Sequence, residues 1–224
     1  MVKAVIFDID GTLLDSVDLH AECWQKAFQK FGYHFPFEKI RSQIGKGGDQ
    51  LLPVFLSEKD LKEKGKAISE YRSQLFMGEY LQKVKPFPCV RELFETVKSH
   101  GQKPALASSA KGDELKIFER IAHIEDLVYV GTSSADAKQS KPHPDIFEAA
   151  LGQLGKDIQP QDVIIVGDSP YDAEAAGKAG VRAIGVLCGG FAESDLRAAG
   201  CIAIFRDPED LWKRYEDSPL APNR

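Results

Sequence analysis

Apolar residues recur along the chain in two rhythms. Short unbroken runs, rich in Val, Ile and Ala, lie at Ala4–Phe7, 104–107, 127–130, 163–166, 183–187 and 202–205. Continuous rather than alternating apolarity predicts strands buried on both faces. Between most of them, at 90–100, 114–121, 144–154, 172–179 and 195–199, apolar positions fall three and four apart, the spacing of one helix face. Strands alternating with helices predict an α/β protein, a doubly wound parallel sheet covered on both sides.

The alternation lapses between 15 and 85, where only helical periodicity remains. Val17, Ala21, Trp24, Phe28 and Phe31 share a face, and Gly32 follows as a stop. A second helical stretch covers about 57–81, with Ile68, Tyr71 and Leu75 on one face and Gly65 as a candidate break. Roughly seventy residues are too many for a loop in a compact domain. The predicted organisation is a core of 1–14 and 86–224 with an inserted α-helical cap at 15–85. Pro86 and Pro88 mark the return, Pro88 suited to open the next helix and Gly101 to close it. The polar, Pro-bearing end, 218–224, is expected to fray.

Composition narrows the partners. Thirty-four acids against 29 bases give a net charge of −5, with no basic block or basic–aromatic stripe, which argues against nucleic acid. The four cysteines are scattered without metal-ligand spacing and read as buried apolar residues in a reducing compartment. No apolar run approaches membrane-spanning length, and the first strand starts too early for a signal peptide, so a cytoplasmic protein is expected. Oligomeric state is not readable from these features.

Chemistry concentrates where strands end. Asp8-Ile9-Asp10-Gly11-Thr12 follows the first strand, and alternation sends Asp8 and Asp10 to one side and Ile9 to the other. Two adjacent carboxylates resist burial unless a cation or shared proton compensates. Gly11 lets the backbone approach a ligand, and Thr12 adds a hydroxyl. Ser16 or Asp15 is expected to cap the following helix. Ser108 and Ser109 follow the second strand, where a hydroxyl and turn amides could hold a phosphoryl oxygen; in isolation, serine there reads as a turn residue. Lys141, stiffened by Pro142 and Pro144, can set a positive charge against an anion. Asp168 ends another buried strand and could complete a carboxylate cluster suited to Mg²⁺. Asp172 could orient Lys141 or cap the next helix. In the helical stretch, His20 is either a packed histidine or a substrate contact, and Lys46-Gly47-Gly48 either a helix–helix turn or a basic loop over the leaving group.

Asp-x-Asp, then Ser, then Lys, then Asp, each after its own strand, resembles the four-part signature of the haloacid dehalogenase-like (HAD) superfamily, in its phosphatase branch with a helical cap. The resemblance covers essentially the whole chain. It implies a Rossmannoid core and Mg²⁺-dependent hydrolysis of a small phosphorylated metabolite. It implies Asp8 as nucleophile and Asp10 as general acid/base, with Ser108 and Lys141 holding phosphate. Asp8, the Asp10 backbone carbonyl and Asp168 would bind Mg²⁺, and substrate contacts would come from Gly11, Thr12 and Ser109, with His20 and Lys46 in the cap. Cys89 departs from the glycine that relatives commonly carry. The rival within the superfamily is a beta-phosphoglucomutase-like mutase, which His20 does not discriminate; the 44–51 stretch lacks the arginine that such a mutase uses for a second phosphate. A phospho-aspartate receiver switch is the rival outside it, but is about half this length and has no inserted cap.

Overall fold

Val5 and Phe7 pack on one side of the first strand, and Ala4 and Ile6 on the other, so all four residues are buried. That strand, β1 (Ala4–Phe7), anchors the computed structural model, which describes residues 1–221. Chain order continues with β2 (Leu14–Asp15), α1 (Val17–Lys30), α2 (Phe37–Arg41), α3 (Gly48–Phe55) and α4 (Glu58–Leu75). A π-turn at Phe76–Tyr80 leads to β3 (Lys85–Pro86), α5 (Val90–Ser99), β4 (Lys103–Ala107), α6 (Gly112–Ile121) and β5 (Val130–Thr132). Then come α7 (Asp145–Leu154), β6 (Val163–Gly167), α8 (Pro170–Lys178), β7 (Arg182–Val186), α9 (Glu193–Ala198), β8 (Cys201–Phe205) and α10 (Pro208–Lys213).

Among the described residues, six strands pair in parallel in the order β5-β4-β1-β6-β7-β8. The chain winds outward from β1 in one direction and then, through β6, in the other. The sheet is the expected doubly wound α/β arrangement, and its order reverses beside β1, where such sheets open a crevice at their C-terminal ends. Alternate strand residues feed two cores. Phe7, Leu106, Val166 and Val186 join Leu93 and Phe94 of α5 and Phe118 of α6. Ile6, Ala107 and Ile165 join Phe147 of α7 and Ala176 of α8.

Helices α1–α4 intervene between β1 and β4 and bury a third cluster around Ala21, Trp24, Phe28, Ile40, Leu51 and Ile68. The short pair β2–β3, antiparallel with Leu14 opposite Pro86, ties the two ends of this insert together. Gly32 and Gly101 follow α1 and α5 with φ of +88° and +72°, the left-handed form that ends a helix.

Four expectations need correction. The run at 127–130 is mostly turn: Leu127 and Val128 both donate to the Ile124 carbonyl, and the strand begins at Val130. Leu127 is apolar because it packs under the turn into the core. Gly65 does not break α4 but lies buried within it. Ser16 makes no side-chain cap to α1. The end of the chain does not fray from Ser218: Ser218, Leu220 and Ala221 are buried, and the Gln102 amide donates to the Leu220 carbonyl at 2.7 Å. Residues 222–224 lie outside the described residues.

Candidate active site

β1 and β6 are neighbours, with Phe7 opposite Val166, so Asp8 and Asp168 emerge side by side from adjacent strands. Gly11 (φ +82°) turns the chain directly beneath Asp168; a β-carbon there would sit 2.4 Å from Asp168 Oδ2. Only glycine permits that approach. The Thr12 hydroxyl donates to Asp168 Oδ1 at 3.2 Å. Asp8 and Asp10 both line a cavity of about 170 Å³ between sheet and insert, while Ile9 packs into the core.

Lys141 is 1% exposed and donates to Asp8 Oδ1 and, at 2.7 Å, to Asp172 Oδ1. Burial alone would lower its pKa, but the two carboxylates outweigh burial and raise it. Asp172 has two duties. Its Oδ2 accepts from the Ser169 amide and hydroxyl, closing a capping box at the start of α8, while its Oδ1 holds the lysine.

Asp8, Asp168 and Asp172 offer oxygens within 4.8 Å of one another, all buried. One lysine cannot balance three carboxylates. Burial, opposed by Lys141 and reinforced by Asp172, pushes Asp8 up to about 7. Asp168 is raised well above the usual carboxylate range by burial and by its two acidic neighbours. An oxygen-only, buried and under-neutralised set is what a hard divalent cation fits.

Asp10 is held differently. Its Oδ1 accepts from Ser16 Oγ at 2.6 Å and from His20 Nε2 at 2.8 Å. Burial would raise its pKa, but His20, Ser16 and the charge of Arg72 overcome this and bring it down to about 2. Behind His20, Arg72 of α4 reaches Nδ1 at 2.5 Å. Guanidinium can only donate, so Nδ1 accepts and the Nε2 hydrogen is aimed at Asp10. His20 is therefore both packed, stacked on Phe76 at 4.2 Å, and engaged at the cavity.

The remaining residues singled out in the sequence divide. Ser109, Lys46 and His20 line the cavity. Ser108 is fully buried and accepts from the Ala110 amide at 3.1 Å. Lys46 donates to Gln43 at 2.6 Å and lies over the Tyr171 ring. Sequence reasoning missed Arg72 and Lys111, which also line the cavity. For Arg72 the signal was present: it lies four residues after Ile68 and four before Phe76, both buried, so a charge interrupts an apolar stripe.

A family model for haloacid dehalogenase-like hydrolases matches residues 5–186. A phosphorylated carbohydrates phosphatase of Thermotoga maritima is 29% identical over 94% of this chain and 96% of its own length. A phosphoglycolate phosphatase of Aquifex aeolicus is 32% identical over 84% of this chain and 86% of its own. Among solved structures, a Pseudomonas syringae hydrolase superposes with a TM-score of 0.87 at 25% identity, covering 96% of this chain and 98% of that one. A Bacteroides vulgatus protein, provisionally named a beta-phosphoglucomutase, gives 0.84 at 24% identity over 96% and 88%, a likeness of fold. With the matched family spanning most of the sheet and the acidic cluster at its switch point, the chain belongs to the haloacid dehalogenase-like hydrolases.

Proposed function

We propose that this protein is a phosphatase that hydrolyses a small phosphate monoester through an aspartyl-phosphate on Asp8. Family membership and the phosphatase names of its relatives support hydrolysis of phosphoric monoesters. The observation that carries the finer reading is the Asp8–Lys141–Asp172 arrangement beside Asp168, with Asp8 and Lys141 lining the cavity between sheet and insert.

Asp8, Asp168 and the Asp10 backbone carbonyl would hold a divalent cation such as Mg²⁺. Bound there, it would neutralise charge on both the phosphoryl group and the nucleophile. In the proposed reaction an Asp8 oxygen attacks phosphorus in line, forming a P–O bond as the ester P–O bond breaks. Lys141 offsets the repulsion between dianion and carboxylate, and Asp172 keeps its ammonium in place. The departing alkoxide takes a proton from Asp10, which recovers one from the water that later cleaves the acyl phosphate.

Asp10 as it stands, anionic and tied to Ser16 and His20, is set up for the second of these proton transfers. To act as the acid, its carboxyl must first gain a proton and turn from those partners toward the leaving group. Helices α1–α4 serve in this reading as the cap that closes over the substrate and excludes water.

The test is a panel of phosphorylated metabolites assayed for phosphate release with and without EDTA. Asp8→Asn should abolish turnover, and Asp10→Asn should lower it by about 10²–10⁴-fold. Full activity in EDTA would overturn the metal requirement, and an active Asp8→Asn protein would overturn the nucleophile. Release without added sugar bisphosphate separates this reading from a mutase.

A further inference from the structure

The stretch 41–49 of the insert hydrogen-bonds to Gly189, Tyr171 and Ser140 of the core, each adjoining an acid or lysine of the site. Arg41 donates from Nη2 to the Gly189 carbonyl at 3.1 Å while its Nε holds Asp18 at 2.6 Å. Gly189 presses so closely on Asp168 that a β-carbon would fall 1.7 Å from Oδ2. The Tyr171 hydroxyl, one residue before Asp172, donates to the Ser42 carbonyl at 2.7 Å. Asp49 Oδ2 accepts the Ser140 amide at 3.0 Å, one residue before Lys141. Gly47 makes that last approach possible, since its β-carbon would meet Ser140 Oγ at 2.1 Å.

The segment carrying Lys141 has other ties, and they come from the core. The Lys138 and Gln139 amides both donate to Asp145 Oδ2 at 3.1 Å, and Lys178 donates to the Pro142 carbonyl at 2.7 Å. The Asp49 bond is the tie that the insert supplies. Its carboxyl pKa is lowered, against the effect of burial, by the amide and hydroxyl of Ser140, so the charged acceptor is the form the contact favours.

We propose that residues 41–49 are a clamp through which the insert sets the positions of Lys141 and Asp168, with Arg41 and Asp49 as its two positioning residues. Closure over a substrate then does more than exclude water. It aligns the lysine that holds the phosphoryl group and the turn that backs Asp168. The kinetic part of this proposal rests on the phosphatase reading; the contact itself does not.

Hydrogen exchange in the intact protein tests the contact without assuming any activity. In Asp49→Ala the Ser140 amide should exchange at least about tenfold faster, while Lys138 and Gln139, bonded to Asp145, keep their protection. The kcat for p-nitrophenyl phosphate should fall about tenfold with KM changed less than threefold. Asp49→Asn, which retains an acceptor oxygen, should restore both readouts to within a few-fold of the parent. Unchanged Ser140 protection in Asp49→Ala would overturn the clamp, and so would faster exchange with kcat intact. Should that variant not fold, Arg41→Ala reads the same device from its other end by the same kinetic split. A parent protein that releases no phosphate from any ester would sink the phosphatase reading alone, leaving the exchange result to decide the contact.

Discussion

Arg72 shows how one side chain can set the chemistry of another that it never touches. It cannot accept a hydrogen bond, so its approach to His20 Nδ1 leaves Nε2 to serve Asp10. Trp24 and Phe76 hold its guanidinium carbon at 5.4 and 5.2 Å from their ring centres. Arg72→Ala should free the imidazole to flip and lower kcat by about 10–100-fold, a fraction of the full acid/base contribution. Arg72→Lys, which also only donates, should recover part of the loss and the parent pH profile; a Lys variant no better than Ala would refute the relay. Cys89 makes a separate point. Its φ of 60° is left-handed, where glycine is strain-free and a residue with a β-carbon is not. Cys89→Gly should raise unfolding free energy by about 1 kcal/mol, measured by urea denaturation.

The elements that were legible are those with unbroken local patterns. Β-branched runs such as Val163-Ile164-Ile165-Val166 favour the strand and are buried at every residue, and the motif residues sit at their ends. What was illegible depended on partners distant in sequence. Leu127 looked like a strand residue because a turn over the core needs the same apolarity. Helices α2 and α3 are short, and Pro53 lies inside α3, so neither builds a recognisable period. Ser16 has the ordinary identity of a helix cap, and only the fold shows its hydroxyl turned to Asp10. Two glycines, by contrast, lie exposed in helices with nothing near a prospective β-carbon: Gly152 in α7 and Gly177 in α8. Each, replaced by Ala, should stabilise the protein by about 0.5–1 kcal/mol in chemical denaturation. At the start of α10, Asp210 accepts from the Arg206 amide at 3.0 Å, and against the effect of burial the Arg206 contacts hold its pKa below the ordinary 3.8. A depressed carboxyl contributes stability above its unfolded pKa and loses it as pH falls through the folded value. Asp210→Asn should therefore be less stable than the parent at neutral pH and converge with it as pH falls through the depressed carboxyl pKa.

Across the molecule, electrostatic cost is concentrated at the buried acidic cluster. Asp8, Asp168 and Asp172 are buried together against a single lysine, and the folded chain bears the repulsion that an unfolded chain would not. Folding and cation binding should then be coupled, because a cation that neutralises the cluster binds only the folded form. At about one hundred times its dissociation constant, Mg²⁺ should add about 2.7 kcal/mol. For a chain of this length that corresponds to a rise in Tm of roughly 5–10 °C. Asp168→Asn separates this from generic salt stabilisation. Removing one charge should raise the Tm of the EDTA-treated protein and at the same time erase most of the Mg²⁺-induced rise. The repulsion and the affinity come from the same carboxylate, so the two effects must appear together. A variant less stable than the parent in EDTA, or one that keeps the full Mg²⁺ shift, would mean that Asp168 is satisfied by Thr12 alone and that the cluster does not hold the ion.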